Sequence, residues 1–143
     1  MKQCWACGRV VLLFLPMALL TLAGCAKPTF SLIEKRVCKG VDGAGNPQPE
    51  TTTFAPTDGR VCVWFRYRGA GPKQVIKTKF VYVDELGNES KQDVQTELKP
   101  GNGQGMAELT GLEGGPLAPG KYTVEVTNEA DVAYGPAITF TVR

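Results

Sequence analysis

The chain is 143 residues long, carries a net charge of only +2 and contains no histidine. This length suits one domain, and the near balance of charge argues against a nucleic-acid partner, which needs an excess of Lys and Arg on one face. Because histidine is the usual general base and the commonest metal ligand, its absence excludes Ser-His-Asp catalysis, Cys-His catalysis and most zinc sites. We therefore expect no metal, no cofactor and no enzyme activity.

The first 24 residues have the pattern of a secretory signal peptide. Lys2 and Arg9 precede an apolar run over residues 10–22, which is shorter than the roughly 20 residues that a membrane-spanning helix needs. A basic start, a short apolar run and small residues before the cut are typical of a segment that directs export and is then removed. Residues 1–24 are predicted to be cleaved, which removes Cys4 and Cys7 and leaves a formally neutral chain.

The end of this segment, Leu22-Ala23-Gly24-Cys25, resembles the lipobox of bacterial lipoproteins. In that family the signal is cut just before the cysteine, after the thiol has been acylated. The resemblance implies that Cys25 carries the lipid and joins the bilayer to a domain at 30–143 through a tether at 25–29. Because Ala26 stands where an Asp would retain the protein in the inner membrane, the periplasmic face of the outer membrane is favoured over the inner membrane.

Beyond the tether, the sequence predicts strands separated by turns. Residues 29–38 are predicted to form the first strand, and 39–59, with four glycines and three prolines, a loop without regular structure. Apolar and polar residues alternate over 61–67 and again over 75–84, which indicates two long strands. The later segments are a turn at 85–88, a polar edge strand at 90–98, a glycine-rich turn at 99–105, and strands at 106–112, 117–126 and 137–142.

About seven strands with almost no helical periodicity indicate an all-β domain built as a two-sheet β-sandwich. The run from Leu117 through Pro119 and Gly120 to Tyr122 and Val126 resembles the penultimate strand of immunoglobulin-like and fibronectin-III-like domains. In these domains a tyrosine at the start of the strand bonds back to the preceding corner. The resemblance implies an immunoglobulin-like sandwich of antiparallel strands in which Tyr122 has that role.

Cys38 and Cys62 are the two cysteines left after the signal peptide and the lipobox are accounted for. An even pair in an oxidising compartment is predicted to form a disulfide. The loop that it would close corresponds to roughly 3 to 3.5 kcal/mol of stabilisation. The alternative is a metal or small-ligand carrier that uses the two thiols. Neither cysteine has a histidine, methionine or second thiol beside it in the sequence, which argues against that alternative.

A binding face is predicted around Trp64. If Val61 and Val63 face the core, Trp64 lies on the outer face of the sheet among cations, where it would dock a peptide, a glycan or an anionic group. The alternative is that Cys62 and Trp64 face inward and pack on each other. The cations of the predicted face are Arg66, Arg68, Lys77 and Lys79. Tyr134, before a Gly-Pro pair, is a further candidate contact at a loop tip, or a cover for the end of the sandwich.

These patterns predict a non-catalytic binding, adaptor or structural module of the cell envelope. Its partner would be an envelope protein or a cell-wall component, in addition to the bilayer. A small carboxylate-dependent hydrolase is the enzyme alternative, since Asp84, Glu85 and Glu89 flank one hairpin. Acids that flank hairpins are usually just solvated, which argues against it.

Overall fold

A computed structural model describes residues 29–143, which form nine strands in two packed sheets. The predicted signal peptide, Cys25 and the tether up to residue 28 lie outside the described residues. Within residues 29–143, no helix has the length and hydropathy needed to cross a bilayer. The strands are β1 (Ser31–Val41), β2 (Pro47–Glu50), β3 (Thr53–Phe54), β4 (Arg60–Ala70), β5 (Val75–Val83), β6 (Glu89–Glu97), β7 (Gly101–Thr110), β8 (Gly120–Thr127) and β9 (Ile138–Val142).

The first sheet has the strand order β2-β1-β4-β7 and the second the order β3-β9-β8-β5-β6. Neighbouring strands are antiparallel, except that β3 runs parallel to β9. The two-sheet sandwich predicted from the alternating pattern is confirmed. The segment 39–59 was predicted to lack regular structure, and this was wrong. It contains the end of β1, both short strands and a 3₁₀ turn at Pro56–Asp58.

The core lies between the two sheets and is built by residues that alternate along the strands. Alternate residues of β4 from Val61 to Tyr67 point into it, and they face the inward residues of β5, β8 and β9. The largest buried side chains include Phe65 of β4 and Phe80 of β5. Fully burying a side chain of this kind contributes about 1.5–3 kcal/mol. Burial of the apolar side chains that alternate along the strands is therefore the main source of the domain's stability.

Tyr122 makes the corner contact that the resemblance implied. Its hydroxyl donates a hydrogen bond to the carbonyl oxygen of Ala118, four residues upstream, over 2.8 Å. The ring stacks on Phe140 with a centroid distance of 4.9 Å and packs against Tyr82 at 4.8 Å. The side chain thereby ties the entry of β8 to the neighbouring strands on both sides.

Strand β7 begins earlier than the sequence predicted. Residues 99–105 were predicted to be a glycine-rich turn, but β7 starts at Gly101. Gly103 and Gly105 lie directly opposite Tyr67 and Phe65 of β4, whose rings cross over them. A Cβ atom on Gly105 would lie 2.2 Å from the Phe65 ring. These glycines therefore make room for two core aromatics and do not turn the chain.

The loops after β1 and β5 share one hydrogen-bonding pattern. In the first, the Asp42 carboxylate accepts from the backbone N–H groups of Ala44 and Asn46, at 2.9 and 2.8 Å. In the second, Asp84 accepts from Leu86 and Asn88 at 2.9 and 2.8 Å. Each loop has a glycine in the left-handed region of φ/ψ space, Gly45 in the first and Gly87 in the second, with φ of 82° and 84°. The acids flanking these turns are thus used to cap the loops.

Gly105→Ala should lower the free energy of unfolding by about 2–3 kcal/mol, because the added methyl group overlaps the Phe65 ring and forces the core apart. Urea denaturation followed by circular dichroism measures this. Gly43→Ala is the matched control, since no heavy atom lies within 4 Å of its added Cβ. We expect it to change stability by less than about 0.5 kcal/mol. Equal stability of the two variants would show that Phe65 does not cross over Gly105.

Candidate functional site

Cys38 of β1 and Cys62 of β4 lie directly opposite each other across the ladder that joins these strands. Both are completely buried, although they lie on the outer face of the first sheet. They face outward because Val61 and Val63, on either side of Cys62, point into the core and successive residues of a strand point to opposite faces. The two thiols therefore form a covered pair outside the main core.

The predicted disulfide between Cys38 and Cys62 is not present, and both residues are free thiols. Each thiol is directed toward a different acceptor. The Cys38 sulfur lies 3.7 Å from the carbonyl oxygen of Cys62, and the Cys62 sulfur lies 3.7 Å from that of Lys39 and 3.6 Å from a carboxylate oxygen of Glu108. The disulfide was predicted from an oxidising compartment and an even number of cysteines. Neither of these specifies how the two side chains are oriented.

The two thiols differ in acidity. Interaction with the neighbouring Cys62 thiol lowers the pKa of Cys38, against the opposing effect of burial. The pKa of Cys62 is raised, first by the same interaction with Cys38 and further by burial and the nearby Glu108 carboxylate. Cys38 is thus the thiol that ionises first, and the Cys62 proton stabilises its thiolate.

Trp64 lies on the outer face beside this pair and is nevertheless only 4% exposed. The loop between β1 and β2 folds back over it, and the indole Nε1 donates a hydrogen bond to the carbonyl oxygen of Gly45 over 2.8 Å. Trp64 faces outward with Cys62, and both belong to one buried cluster on that face. It is therefore not an exposed docking residue.

The predicted binding face is not a single surface. Arg66 and Arg68 lie on β4 in the first sheet, whereas Lys77 and Lys79 lie on β5 in the second sheet, on the opposite side of the sandwich. The two lysines share one partner, Asp131, with Nζ to Oδ1 distances of 3.2 and 2.9 Å. Arg66 pairs with Glu34 over 2.9 Å, and Arg68 is exposed. The prediction of one face assumed that β4 and β5, which are consecutive in the chain, are also neighbours in one sheet. The turn between them instead takes the chain from the first sheet to the second.

Tyr134 is half-buried and covers one end of the sandwich. Its ring packs edge-on against Phe30 at a centroid distance of 5.1 Å, and its carbonyl oxygen accepts a hydrogen bond from Lys35 Nζ over 2.8 Å. Burial raises the pKa of its hydroxyl. These contacts fit the covering role that the sequence left open for this residue.

A second candidate site is an apolar groove at the opposite end of the sandwich. It has a volume of about 530 Å³ and lies where the edge strands β6 and β7 separate. Its lining includes Phe80, Leu109, Leu117 and Tyr122, with the loop at 111–119 along one rim. Leu112 on that loop is 94% exposed. No sequence pattern pointed to this groove, because its walls come from strands that are distant in the chain.

Within residues 29–143, no three His, Cys, Asp or Glu side chains are grouped so that they could hold a metal ion. The neighbour that the sequence analysis missed is Met106 of β7, which packs against the cluster formed by Cys38, Cys62 and Trp64. Met106 is the direct partner of Trp64 in the ladder between β4 and β7. Only the register of that ladder places it there, since it is far from both cysteines in the sequence.

Comparison with solved structures identifies the fold. An immunoglobulin-like protein from Pseudomonas aeruginosa superposes with a TM-score of 0.60 at 16% identity, covering 82% of this chain and 99% of that one. An alkylpurine DNA glycosylase from Pseudomonas fluorescens gives a TM-score of 0.49 at 17% identity, covering 82% of this chain and 31% of the enzyme. A Niemann-Pick type C2 protein from the Japanese carpenter ant gives 0.40 at 12% identity, covering 83% and 96%.

No protein-family model matches the chain, and no curated protein matches it in sequence. The fold is that of an immunoglobulin-like domain, as the resemblance of the 117–126 segment implied.

Asp42→Ala should expose the thiol pair, because it removes the hydrogen bonds that hold the covering loop in shape. We expect Cys38 and Cys62 to react with an aromatic disulfide reagent about three to ten times faster than in the unaltered protein. Peptide mass spectrometry assigns the modified residues. Asp84→Ala is the matched control, since it removes the same pattern from the loop after β5, which covers no thiol. A similar increase in both variants would contradict a local role for the Asp42 loop.

Proposed function

We propose that this protein is a lipid-anchored, non-catalytic binding module of the bacterial cell envelope. The observation that carries the proposal is the Leu22-Ala23-Gly24-Cys25 motif, which follows a basic start and a short apolar run and precedes an immunoglobulin-like domain. Acylation of Cys25 would supply membrane attachment, and more than one acyl chain is needed for a stable anchor. The domain would supply recognition.

The order of the chain supports one orientation of the anchored domain. The first strand begins at Ser31, opposite Arg68 near the end of β4, and Phe30 packs on Tyr134. We call this end, with the turns at 71–74 and 98–100 and the loop at 128–137, the proximal pole. The five steps from Cys25 to Phe30 span at most about 18 Å, so this pole would face the lipid surface.

The opposite end, which we call the distal pole, carries the features suited to a protein or cell-wall partner. It comprises the loops at 84–88 and 111–119, where Leu86 and Leu112 are 88% and 94% exposed, and the apolar groove opens beside the second loop. Strand β5 has nine residues, which correspond to about 30 Å between the poles. Exposed leucines at a groove are the kind of apolar surface that binds partners.

Cys25→Ser should release the protein from the membrane, because it removes the acylated thiol. After fractionation and washing with high salt and alkali, we expect the unaltered protein in the membrane fraction and nearly all of the variant outside it. Mass spectrometry of the intact protein should show the added acyl mass only in the former. Cys7→Ser is the matched control and should stay membrane-bound. A Cys25→Ser protein that withstands the same washes would contradict lipid anchoring.

The proposed orientation is tested by placing a photo-crosslinking amino acid at Lys99, in the proximal pole, or at Leu86, in the distal pole. Both side chains are exposed. Illumination of intact cells should attach lipid at residue 99 and protein or cell-wall material at residue 86, with at least a tenfold bias in each case. The lipid adducts at residue 99 should disappear in a Cys25→Ser background. Lipid adducts chiefly at residue 86 would reverse the orientation.

A further inference from the structure

Three sulfur-bearing side chains lie near one another on the covered outer face of the first sheet. Cys38 and Cys62 lie opposite each other on β1 and β4, and Met106 of β7 packs against the cluster that they form with Trp64. Because Met106 is the partner of Trp64, it lies one row along from Cys62 on the same face. A diagonal neighbour at this spacing is within reach of a long and flexible side chain such as methionine.

We propose that Cys38, Cys62 and Met106 form a binding site for one Cu(I) ion. This inference goes beyond membrane anchoring and does not depend on it. Thiolate and thioether sulfurs are soft ligands that select Cu(I) over harder cations. The sequence argument against a metal was the lack of a third ligand beside the cysteines, and the β4–β7 register supplies that ligand.

The groups around the proposed site do not suit zinc or calcium, the common alternative metals. Two carboxylates lie near the pair: Glu108, 3.6 Å from the Cys62 sulfur, and Glu50, which is opposite Cys38 in the ladder and paired with Arg36, and the whole chain has no histidine. A closed zinc site needs four nitrogen or sulfur ligands. Calcium needs six or more oxygen ligands. Three sulfurs in a covered place therefore favour a small, soft, singly charged ion.

Binding would exchange two protons for one metal ion. Both S–H bonds break, each sulfur keeps the electron pair that it donates to copper, and the two protons pass to water. Copper enters and remains as Cu(I), so the step needs no oxidant or reductant. The site changes from neutral to a net charge of −1. Arg60, whose guanidinium lies 3.6 Å from Glu108 at the edge of the same face, neutralises the carboxylate that would otherwise add a second negative charge beside Cys62.

The loop and strand at 42–50 provide both cover and access. They lie at the edge of the first sheet, mostly exposed, and the Trp64 indole holds the loop through Gly45. An edge segment of this kind opens at a lower free-energy cost than the core strands beneath it. Copper delivered by a thiol-bearing carrier would reach the sulfurs when the loop lifts, and closure would then exclude water and oxidants from the bound ion.

The test is an anaerobic titration of the purified full chain with Cu(I) in competition with a chromogenic Cu(I) chelator. Cys4→Ser and Cys7→Ser form the background, so that an uncut signal adds no thiol. We expect one ion per chain and a change in Trp64 fluorescence, since the indole contacts the site. Cys38→Ser and Cys62→Ser should each weaken binding at least a hundredfold, and Met106→Leu, which keeps an apolar side chain of similar size, about tenfold. Cys25→Ser is the matched control and should bind unchanged.

Any of the following results would overturn the proposal. They are failure of the chain to retain Cu(I), binding of Cu(I) by the Cys38→Ser or Cys62→Ser variant as tightly as by the unaltered chain, and preferential retention of Zn²⁺ over Cu(I). Thermal unfolding of each variant shows whether it is folded. If a serine variant does not fold, Met106→Leu and the X-ray absorption spectrum of the copper-loaded protein decide, and a first shell containing nitrogen or oxygen would also refute the site. Membrane fractionation of Cys25→Ser reports separately on anchoring.

Discussion

Strand β4 is buried on both faces from Val61 to Phe65, and the rest of the structure depends on that constraint. One face of the strand, from Val61 to Tyr67, fills the space between the sheets. The other face carries Cys62 and Trp64, and the loop that follows β1 lies over the Trp64 indole. Because side chains alternate with a period of two, a shift of one residue would exchange the two faces entirely. The core and the thiol pair are thus fixed together by one register.

The neighbours of β4 are selected by the shapes of its side chains. Phe65 and Tyr67 need partners without a Cβ atom, and the glycines of β7 meet that need at the two opposite positions. The same pairing brings Met106 opposite Trp64. Packing of aromatic rings on one face of the ladder therefore determines that Met106 lies opposite Trp64 on the other face. The β4–β7 register thus sets both the packing of Phe65 and Tyr67 in the core and the position of Met106 on the outer face.

Much of the fold could be predicted from sequence because its determinants are local. Alternation along β4 and β5 indicated the strands, and the residues before Tyr122 indicated the corner at which its hydroxyl bonds to Ala118. The candidate site depended on relations that are not local. Consecutive strands β4 and β5 belong to different sheets, which separates Lys77 and Lys79 from Arg66. The cover of Trp64 likewise depends on a loop whose path follows from tertiary packing, and alternation along the strand carries no information about it.

The two short loops that share the Asp-capped pattern have different surroundings, one folded over Trp64 and the other exposed at the far end of the sandwich. The strand after the first loop, β2, contains Pro47 and Pro49, which have no backbone N–H to offer. At the edge of the second sheet, β6 carries charged side chains along most of its length. On the lipid anchor that we propose, the protein would meet its own copies at high local density in two dimensions. Edges with few free donors and many charges discourage strand-to-strand pairing between such copies, so crowding would leave each domain separate and its loops accessible.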